Sequence, residues 1–282
     1  MKVGIIGLGL IGGSIAKAIR EKHPDAVIVV YNRSADPLKK ALKDGIADQV
    51  TMECDEEFKD CDFIFLCTPV QTNITFLDKL APFLSEKTIL TDVGSTKVNI
   101  HEAVDKIIPD ACFIGGHPMA GKEKSSYDNS SAKLLSGAYY FLTPSDNASD
   151  EDTDRLKELI RSMGCTPKIV EPENHDFIVG AISHIPHLAA YTLVKLVKDE
   201  DSSEEIMRET CAGGFKDITR VASSDPTMWE EICMANRDNL ISLLDKYIDD
   251  LEEVRDALVK GDNEGLHNFF ADIKEYRKSI VG

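Results

Sequence analysis

The sequence has little of what marks secreted, membrane or nucleic-acid-binding proteins. Its 7 cysteines are odd in number and scattered, with no C-x-x-C pair, which excludes a disulfide framework and offers no cysteine metal site. Only Lys2 precedes the first apolar stretch, and no later stretch is long enough to span a bilayer, so we expect no signal peptide and no membrane helix. Basic residues are scarce: 32 Lys and Arg against 49 Asp and Glu give a net charge of −17, which disfavours nucleic acid and anionic membranes as partners. These absences predict a cytoplasmic globular protein in which an anionic substrate needs a local cationic site.

What the chain does have is a regular alternation of short β-branched runs with helical patterns, the signature of βαβ units. The predicted strands are 2–7, 26–31, 62–68, 88–93, 112–116, 138–143 and 166–170. The predicted helices between them are 11–21, 37–44, 71–84, 98–108 and 153–163. Beyond Pro172 every pattern is helical. We therefore predict an α/β Rossmann-type dinucleotide-binding domain over residues 1–170, followed by an all-α C-terminal domain over residues 171–282 for substrate binding and dimerisation.

The first predicted strand leads directly into a G-x-G-x-x-G motif, Gly7-Leu8-Gly9-Leu10-Ile11-Gly12, which opens the first helix. Gly7 allows a tight turn, Gly9 lets the backbone approach a pyrophosphate, and Gly12 lets the helix pack closely on the strand. A glycine-rich turn of another kind is the alternative. Because strand, helix and second strand follow in order, the motif favours a dinucleotide site formed by residues 7–12.

The end of the second strand bears on the choice between NAD and NADP. Here it runs Asn32-Arg33-Ser34, with no carboxylate to accept from a ribose 2′-hydroxyl. Arg33 can pair with a 2′-phosphate and Ser34 can donate to it, which weakly favours NADP. The alternative is that Arg33 covers the adenine while Asn32 binds the hydroxyl of NAD. Thr68 and Pro69, at the end of strand 62–68, complete the predicted cofactor site.

A histidine follows strand 112–116 within Gly-Gly-His-Pro-Met-Ala-Gly (115–121). Ligands of open α/β sheets bind at the carboxyl ends of the strands, and Pro118 with its flanking glycines fixes the turn. His117 is therefore a candidate catalytic residue. Ser95 follows the neighbouring strand 88–93 and is placed to hydrogen-bond the same ligand or the imidazole.

A second polar cluster lies in the helical pattern after residue 172. At 100° per residue, four side chains fall within about 80° of one another on one helix face: Asp176, Gly180, Ser183 and His187. His184 lies just beside them, and Pro186 kinks the helix by removing a backbone donor. A single histidine on such a face is usually a satisfied core residue, but two imidazoles and a serine around a kink favour a substrate site.

A third cluster is Gly213-Gly214-Phe215-Lys216-Asp217-Ile218-Thr219-Arg220. Its paired glycines, beginning with Gly213, allow a close backbone approach, and Lys216 and Arg220 supply two cations. Arg220 has the fork geometry that binds a carboxylate. The alternative for Arg220 is a surface ion pair with one of the many acidic residues.

The end of the chain predicts an assembly element. A helix that starts at Pro226 meets no breaker before Gly261, a length of roughly 50 Å at about 1.5 Å per residue. An apolar seam repeats along it in steps of 4 and 3: Leu240, Leu244, Tyr247, Leu251, Val254 and Leu258. Such a seam packs on another helix, either the chain's own last helix, 263–280, or the same seam in a second subunit.

Together these motifs resemble the prephenate and arogenate dehydrogenase family, and the resemblance covers essentially the whole chain. It is carried by residues 7–14 and 115–121, by Ser-His-Ile-Pro-His (183–187), and by 213–220 with Asp-Pro-Thr-Met-Trp (225–229). The resemblance implies that His117 hydrogen-bonds the ring hydroxyl of the substrate and that Ser95 supports it. It also implies further residues that bind the substrate or line the site: His187, Arg220, Glu123, Lys216 and Trp229. Many NAD-using members carry Asp where this chain has Asn32-Arg33-Ser34.

The resemblance implies a single-function prephenate dehydrogenase of tyrosine biosynthesis, a homodimer through its helical domain, with NAD(P)+ as cofactor and no metal. Prephenate is preferred over arogenate because the second imidazole, His187, suits a keto acid, and members restricted to arogenate tend to lack it. His184 or His187 would donate to the pyruvyl side chain, and tyrosine is an expected competitive inhibitor. One rival interpretation is a β-hydroxyacid-type NADP dehydrogenase, for which Lys195 is the candidate catalytic lysine. A second rival is a nucleotide-binding protein without catalysis.

Overall fold

A single sheet organises the first part of the molecule. The computed structural model describes residues 1–122 and 126–281. In these ranges eight strands pair in the order β3-β2-β1-β4-β5-β6-β7-β8. The strands are β1 Lys2–Ile6, β2 Val27–Tyr31, β3 Gln49–Thr51, β4 Phe63–Leu66, β5 Ile89–Asp92, β6 Phe113–Pro118, β7 Tyr139–Pro144 and β8 Thr166–Ile169. Only the β6–β7 pair is antiparallel within these ranges. The predicted strands are confirmed, and β3 is an additional short one that the sequence analysis missed.

Helices cover both faces of the sheet, as the near-continuous apolar strands require. The helices of this part are α1 Leu10–Lys22, α2 Ala35–Lys43, α3 Val70–Leu80, α4 Val98–Ile107 and α5 Asp150–Ser162. Alternate residues of β1 point to opposite faces, so Val3 and Ile5 join the core under α1 and α5, whereas Ile6 joins the core under α3 and α4. The carboxyl ends of the parallel strands are thereby held rigidly at one edge, where the candidate site lies.

All elements after β8 in the described residues are helical, which confirms the predicted fold class. They are α6 Pro172–Val179, α7 Ile185–Glu200, α8 Ile206–Thr210, α9 Gly213–Thr219, α10 Pro226–Ala235, α11 Arg237–Lys260 and α12 Asn263–Val281. By contacts, the chain divides into a unit Met1–Asn236 and a unit that starts at Arg237. The domain boundary near residue 171 remains a prediction, since it marks where the strands end rather than where contacts thin out.

The predicted uninterrupted helix from Pro226 to Gly261 is wrong. Helix α10 ends at Ala235 and α11 starts at Arg237, with Asn236 between them at φ −113° and ψ 27°. The sequence contains no breaker here. The interruption turns the Asn236 side chain inward, where it is 3% exposed and donates a hydrogen bond to the Asp176 carbonyl at 2.7 Å. A tertiary contact has overridden local helix propensity.

Helices α6 and α7 form one continuous helical segment around a π-turn, Gly180–His184. The Ile185 amide donates to the Gly180 carbonyl, five residues back, directly before Pro186, which lacks a donor. The sequence predicts a kink at Pro186, and the structure has a π-turn directly before this proline. The added residue per turn shifts the predicted polar face, so that His184 is buried and Ser183 is only half-buried.

This segment also corrects the expectation that no stretch could span a bilayer. Pro172–Glu200 has 29 residues with a mean hydropathy of 1.5 over its most apolar window, enough by length and composition. Only 22% of that window is buried. The segment nevertheless holds two fully buried polar residues, His175 and Asp176. His175 hydrogen-bonds to His117 at the end of β6, and Asp176 accepts from the Lys97 amide after β5. Part of the segment's apolar surface, including Ile182 and Leu196, is exposed on the single chain.

In the second unit, α11 and α12 form a helical hairpin joined at Gly261, whose φ is +64°. Val254 of the predicted seam lines a groove of about 240 Å³ together with Leu266 and Phe269 of α12, and α11 contacts α12, the chain's own last helix. Leu251 and Leu258 of the same seam stay 52% and 64% exposed. Part of the seam is thus satisfied within the chain and part is not.

Candidate active site

The glycine motif forms the turn that its spacing predicts. Gly7 has φ +100°, a conformation that favours glycine, and a Cβ on Gly12 would come within 2.1 Å of the Gly7 carbonyl oxygen. A Cβ on Gly9 would meet no atom within 4 Å. Gly9 caps α1 without any side-chain hydrogen bond, so the first amides of this helix are presented to open space. The turn therefore fits an anionic pyrophosphate placed over Gly9.

The residues predicted to select the dinucleotide lie beside this turn. The Leu8 amide donates to Asn32 Oδ1 at 3.1 Å, and Asn32 Nδ2 donates to the Ser34 carbonyl at 3.0 Å. Asn32 is thus occupied at both ends of its amide, whereas Arg33 and Ser34 are exposed. On the other side, Thr68 Oγ1 donates to Asn73 Oδ1 at 2.5 Å, and Pro69 directly precedes α3.

A buried ion pair holds the turn that carries His117. Lys97 Nζ bonds to Asp92 Oδ2 and, at 2.8 Å, to the Gly116 carbonyl, and both charged side chains are 0% exposed. Asp92 also accepts from the Gly116 amide at 3.0 Å and from the Gly94 amide at 2.8 Å. Burial lowers the pKa of Lys97, and the neighbouring Asp92 carboxylate opposes that shift. The ends of β5 and β6 are therefore tied together immediately before the candidate base.

His117 stands at the end of a chain of three hydrogen-bonded side chains. His117 Nδ1 lies 2.9 Å from His175 Nε2, and His175 Nδ1 lies 2.8 Å from Asp176 Oδ1. Asp176 in turn accepts from the Lys97 amide at 2.7 Å and from the Val98 amide at 3.0 Å, at the start of α4. A carboxylate from α6 therefore caps α4 and connects, through His175, to the imidazole at the end of β6.

The hydrogen bonds fix the proton positions in this chain. The Asp176 carboxylate accepts, so His175 carries its proton on Nδ1, and its Nε2 accepts the proton that His117 carries on Nδ1. His117 Nε2 is then left with a lone pair. Burial, followed by the neighbouring His175, lowers the pKa of His117 well below 6.5, and burial lowers that of His175 to about 2. Both rings are therefore neutral at physiological pH.

A second group of side chains surrounds Trp229. His187 stacks on its indole with ring centroids 3.7 Å apart, and His184 meets it edge-on at 5.8 Å. Asn236 Nδ2, oriented by its bond to the Asp176 carbonyl, lies 3.2 Å from His184 Nδ1, which must accept, so neutral His184 keeps its proton on Nε2. His187 Nδ1 instead donates to the Ser183 carbonyl at 2.9 Å. Burial lowers the pKa of His184 to about 4 and also lowers that of His187.

These tautomers distinguish the two predicted donors. Neutral His184 can donate from Nε2, whereas neutral His187 offers only a lone pair at Nε2. His187 could donate to a keto acid only after taking up a proton, which its lowered pKa disfavours. Of the two imidazoles proposed from the sequence as donors, the geometry favours His184.

Other predicted site residues are less closely connected. Ser95 is half-buried in the loop after β5, and its side chain makes no hydrogen bond within residues 1–122 and 126–281; His117 bonds to His175 instead. Gly213 and Lys216 lie exposed on α9, and Arg220 follows at the start of a 3-10 turn. Both segments pack against α7, the helix that carries His187. The predicted site residue Glu123 lies outside the described residues.

Several residues of this network were not predicted as site residues: Asp92, Lys97, His175 and Asn236. Asp176 was placed on the polar face, but its partners were not foreseen. The His175-Asp176 pair was a readable signal, since adjacent imidazole and carboxylate groups at a helix start are natural hydrogen-bond partners. Lys97 and Asp176 are 79 residues apart, so their contact follows only from the fold.

Family comparisons agree with this architecture. A model described as the prephenate dehydrogenase nucleotide-binding domain matches residues 15–168, and one described as the prephenate dehydrogenase dimerization domain matches residues 171–272. A prephenate dehydrogenase of Bacillus subtilis is 34% identical over 278 residues, 98% of this chain and 75% of that protein. A cyclohexadienyl dehydrogenase of Zymomonas mobilis is 31% identical, over 99% of this chain and 95% of that protein.

Solved structures show the same similarity. Prephenate dehydrogenase from Aquifex aeolicus in complex with hydroxyphenyl propionate and NAD+ superposes with a TM-score of 0.93 at 32% identity, covering 99% of this chain and 98% of that one. Synechocystis arogenate dehydrogenase superposes with a TM-score of 0.87 at 28% identity, covering 99% and 100%. The similarity therefore extends over both the nucleotide-binding and the helical parts.

Proposed function

Because the chain belongs to the prephenate dehydrogenase family, we propose that it oxidises and decarboxylates prephenate to 4-hydroxyphenylpyruvate, in tyrosine biosynthesis. The observation that carries the proposal is the neutral imidazole of His117, held at the carboxyl end of β6 with its Nε2 lone pair unused within the hydrogen-bonded chain. The alternatives of a lysine-dependent β-hydroxyacid dehydrogenase and of a non-catalytic protein lose support. Lys195 is 71% exposed and paired with Asp199.

The residues of the glycine turn fit the dinucleotide. The amides at the start of α1, beside Gly9, would hold its pyrophosphate, with Thr68 and Pro69 on the nicotinamide side of the turn. When bound, NAD(P)+ accepts the hydride from the carbinol carbon of prephenate. The protein must place that carbon at the nicotinamide and hold the hydroxyl proton.

His117 serves the hydroxyl group. As the carbinol carbon loses hydride, its oxygen becomes acidic and its proton moves to His117 Nε2. Loss of the ring carboxylate as CO₂ then aromatises the ring, and the phenolate oxygen of the product takes the proton back. The reaction releases no net proton, so His117 returns to its neutral form in each turnover.

The remaining predicted residues would hold the two carboxylates and the pyruvyl group. We assign His184 Nε2 as the donor to the pyruvyl side chain and Arg220, with Lys216, as the cations for the carboxylate that is retained. Other proposed contributors to the site are Ser95, Glu123, Ser183, His187, Gly213 and Trp229. A net charge of −17 makes such local cations necessary for a dianionic substrate.

Arogenate is the second candidate substrate, and His187 is the observation that favours it. The lone pair on Nε2 of neutral His187 suits the ammonium group of arogenate, whereas a keto acid needs a donor there. His184 meets the need of prephenate, so we keep prephenate as the preferred substrate. Activity with arogenate should then rise relative to prephenate as the pH increases, since His187 loses any proton that prephenate induces it to bind.

We further propose that both dinucleotides bind, with a small preference for NADP+. Asn32 uses one acceptor and one donor position of its amide for Leu8 and Ser34, and residues 32–34 include no carboxylate to repel a 2′-phosphate. Exposed Arg33 and Ser34 are available to contact that phosphate. Against this, the Aquifex aeolicus relative has been solved with NAD+.

The assembly that we propose is a cytoplasmic homodimer formed through the helical part. Large apolar side chains stay exposed on the single chain along α7, α11 and α12, among them Leu196, Leu258 and Tyr276 at 58%, 64% and 69%. A family model described as a dimerization domain covers residues 171–272. We also expect tyrosine to compete with prephenate, because it resembles the aromatic product.

The experiment that tests the function follows the absorbance of reduced nicotinamide with prephenate, using NAD+ and NADP+ side by side, and repeats both with arogenate. Reduction with prephenate that is lost in His117→Ala and retained in Lys195→Ala supports the proposal. Absence of reduction with either substrate, despite cofactor binding, would contradict it. Arg33→Ala should lower kcat/KM with NADP+ at least about tenfold while changing that with NAD+ little; equal loss with both cofactors would refute the role of Arg33.

A further inference from the structure

The unit Met1–Asn236 buries a polar pair that the proposed reaction does not itself require. His175 and Asp176 are 0% and 1% exposed, and neither belongs to the residues that the family resemblance assigns to substrate or cofactor. Burying an imidazole and a carboxylate is costly unless their hydrogen bonds are satisfied. Both are satisfied here by named partners, so the pair has a definite orientation.

The orientation points towards His117. Asp176 is fixed by the amides of Lys97 and Val98 at 2.7 and 3.0 Å, and its Oδ1 receives His175 Nδ1 at 2.8 Å. The only direction of hydrogen bonding that leaves Asp176 as acceptor throughout gives His175 a lone pair on Nε2, 2.9 Å from His117 Nδ1. The ring of Phe141 packs at 86° to that of His175, with 5.2 Å between the centroids, and limits rotation of the imidazole.

We propose that His175 and Asp176 are positioning residues for His117: they hold its proton on Nδ1, aim its Nε2 lone pair at the substrate hydroxyl, and stabilise the imidazolium formed when that hydroxyl proton arrives. The proton stays on His117 Nε2 until the product takes it back, and no proton leaves His175. This inference rests on the proposed function for its catalytic consequence, but the tautomer that it assigns exists with or without substrate.

An imidazole without a hydrogen-bond partner has no fixed orientation or tautomer in a half-open site. If His117 carried its proton on Nε2, this nitrogen could not accept the hydroxyl proton of the substrate. Within the described residues, the hydrogen bond between His117 Nδ1 and His175 Nε2 sets the tautomer of this half-buried ring. The bond to His175 therefore separates a competent base from an incompetent one. The Asp176 carboxylate lies one residue further on, where it stabilises positive charge without touching the substrate.

Two isosteric substitutions separate the two contacts of His175. In His175→Asn the side-chain amide matches the position of Nδ1, so it can donate to Asp176 but cannot reach His117. In His175→Gln the amide matches the position of Nε2, so its carbonyl can accept from His117 while the link to Asp176 is broken. His101→Gln is the matched control, since His101 is also a buried histidine and bonds to Thr143 at 2.8 Å.

We expect kcat for prephenate to fall about 100-fold in His175→Asn and no more than about tenfold in His175→Gln, with KM changing less than about threefold in both. His101→Gln should leave kcat within about twofold. A His175→Asn enzyme with kcat near wild type, or an equal loss in His101→Gln, would overturn the proposal. A loss confined to KM would do the same.

The second measurement needs no activity. Long-range ¹H–¹⁵N spectra of the full chain, labelled in its 7 histidines, report which ring nitrogen carries each proton. We expect His117 and His175 both protonated on Nδ1 in the wild type and His117 protonated on Nε2 in His175→Asn. A wild-type His117 protonated on Nε2 overturns the inference. If the enzyme fails to oxidise prephenate, the proposed function fails while these spectra still decide the tautomer.

Discussion

Replacing Lys97 by Met is the most direct test of how the catalytic edge of the sheet is held together. The substitution keeps the length of the side chain but removes its charge and both of its hydrogen bonds, to Asp92 and to the Gly116 carbonyl. Asp92 would then lie 0% exposed without its cationic partner, and within the described residues the amides of Gly94 and Gly116 would be its remaining donors. Leaving one buried charge without its partner costs about 3–5 kcal/mol.

The expected loss is large enough to measure by thermal unfolding. In a unit of 236 residues, each kcal/mol corresponds to roughly 2–4 °C, so Lys97→Met should lower Tm by about 10 °C at fixed protein concentration. The double variant Asp92→Asn/Lys97→Met removes both charges and should recover at least about 1 kcal/mol. Lys195→Met is the matched control: its partner Asp199 is exposed, so the loss should stay within about 0.5 kcal/mol.

Two results would refute this reasoning. If Lys97→Met unfolds within about 1 kcal/mol of the wild type, the buried pair does not hold the ends of β5 and β6. If the double variant is as unstable as the sum of the single variants, the two charges do not interact, whatever their distance suggests.

Three further predictions follow from single residues. Gly12→Ala should destabilise the protein by roughly 3 kcal/mol in urea unfolding, because its Cβ would meet the Gly7 carbonyl at 2.1 Å. Gly9→Ala, whose Cβ would meet no atom within 4 Å, should keep the stability of the wild type and lose the cofactor binding that calorimetry measures. Equal stability of the two variants would contradict this prediction. The pKa of His184 is lowered to about 4, so between pH 6.5 and 4 the unfolded state binds the proton and the folded state does not. The free energy of unfolding should therefore decrease as the pH decreases through this range, and the decrease should be smaller by about 1.4 kcal/mol per pH unit in His184→Asn than in the wild type. Equal slopes in the two proteins would contradict this prediction. Because burial holds the pKa of His117 well below 6.5, the acid limb of kcat/KM for prephenate should lie below pH 6.5, and a limb at or above that value would rule His117 out as its source.

Much of the fold could be predicted because its elements are locally encoded. The alternation of apolar strands with helical patterns located seven of the eight strands, and the glycine spacing located the turn at Gly7. β3 escaped because it has three residues, Gln49–Thr51, at the sheet edge, where neither face must be fully apolar. The apolar pattern that predicts a strand becomes clearer as the strand buries more apolar surface. An edge strand of three residues, such as β3, buries almost none.

The helical part was harder because its irregularities are tertiary. Pro186 predicts a kink in the helix, and the structure has a π-turn directly before it. In contrast, no residue in the sequence around Asn236 indicates an interruption of the helix. That break exists because Asn236 bonds to Asp176 and His184, 60 and 52 residues away. A pattern of local propensities does not include such partners.

The residues of the candidate site also differ in how far the local sequence predicts them. His117, His184 and His187 could be identified as candidate site residues because an imidazole is unusual in an apolar or glycine-rich segment. The groups that set their tautomers are a carboxylate, an amide and a backbone carbonyl, and such groups are common everywhere in a sequence. The sequence therefore indicated each histidine only as a residue type. The role of His187 as a donor stays a prediction, and its hydrogen bond to the Ser183 carbonyl is what the structure adds.

Asp176 links the stability of the fold to the state of the base. Its carboxylate caps α4 through two amides, its neighbour His175 reaches His117, and its carbonyl receives Asn236, which in turn fixes His184. Burial raises the pKa of this carboxyl group, and the amides of Val98 and Lys97 oppose that shift. A substitution that only loosened the cap would release His175 and with it His117, whereas the backbone carbonyl of Asp176 would still accept from Asn236. Conditions that protonate Asp176 should therefore remove the fixed tautomer of His117 before the sheet itself unfolds, since the strands that carry His117 are held independently by Lys97 and Asp92.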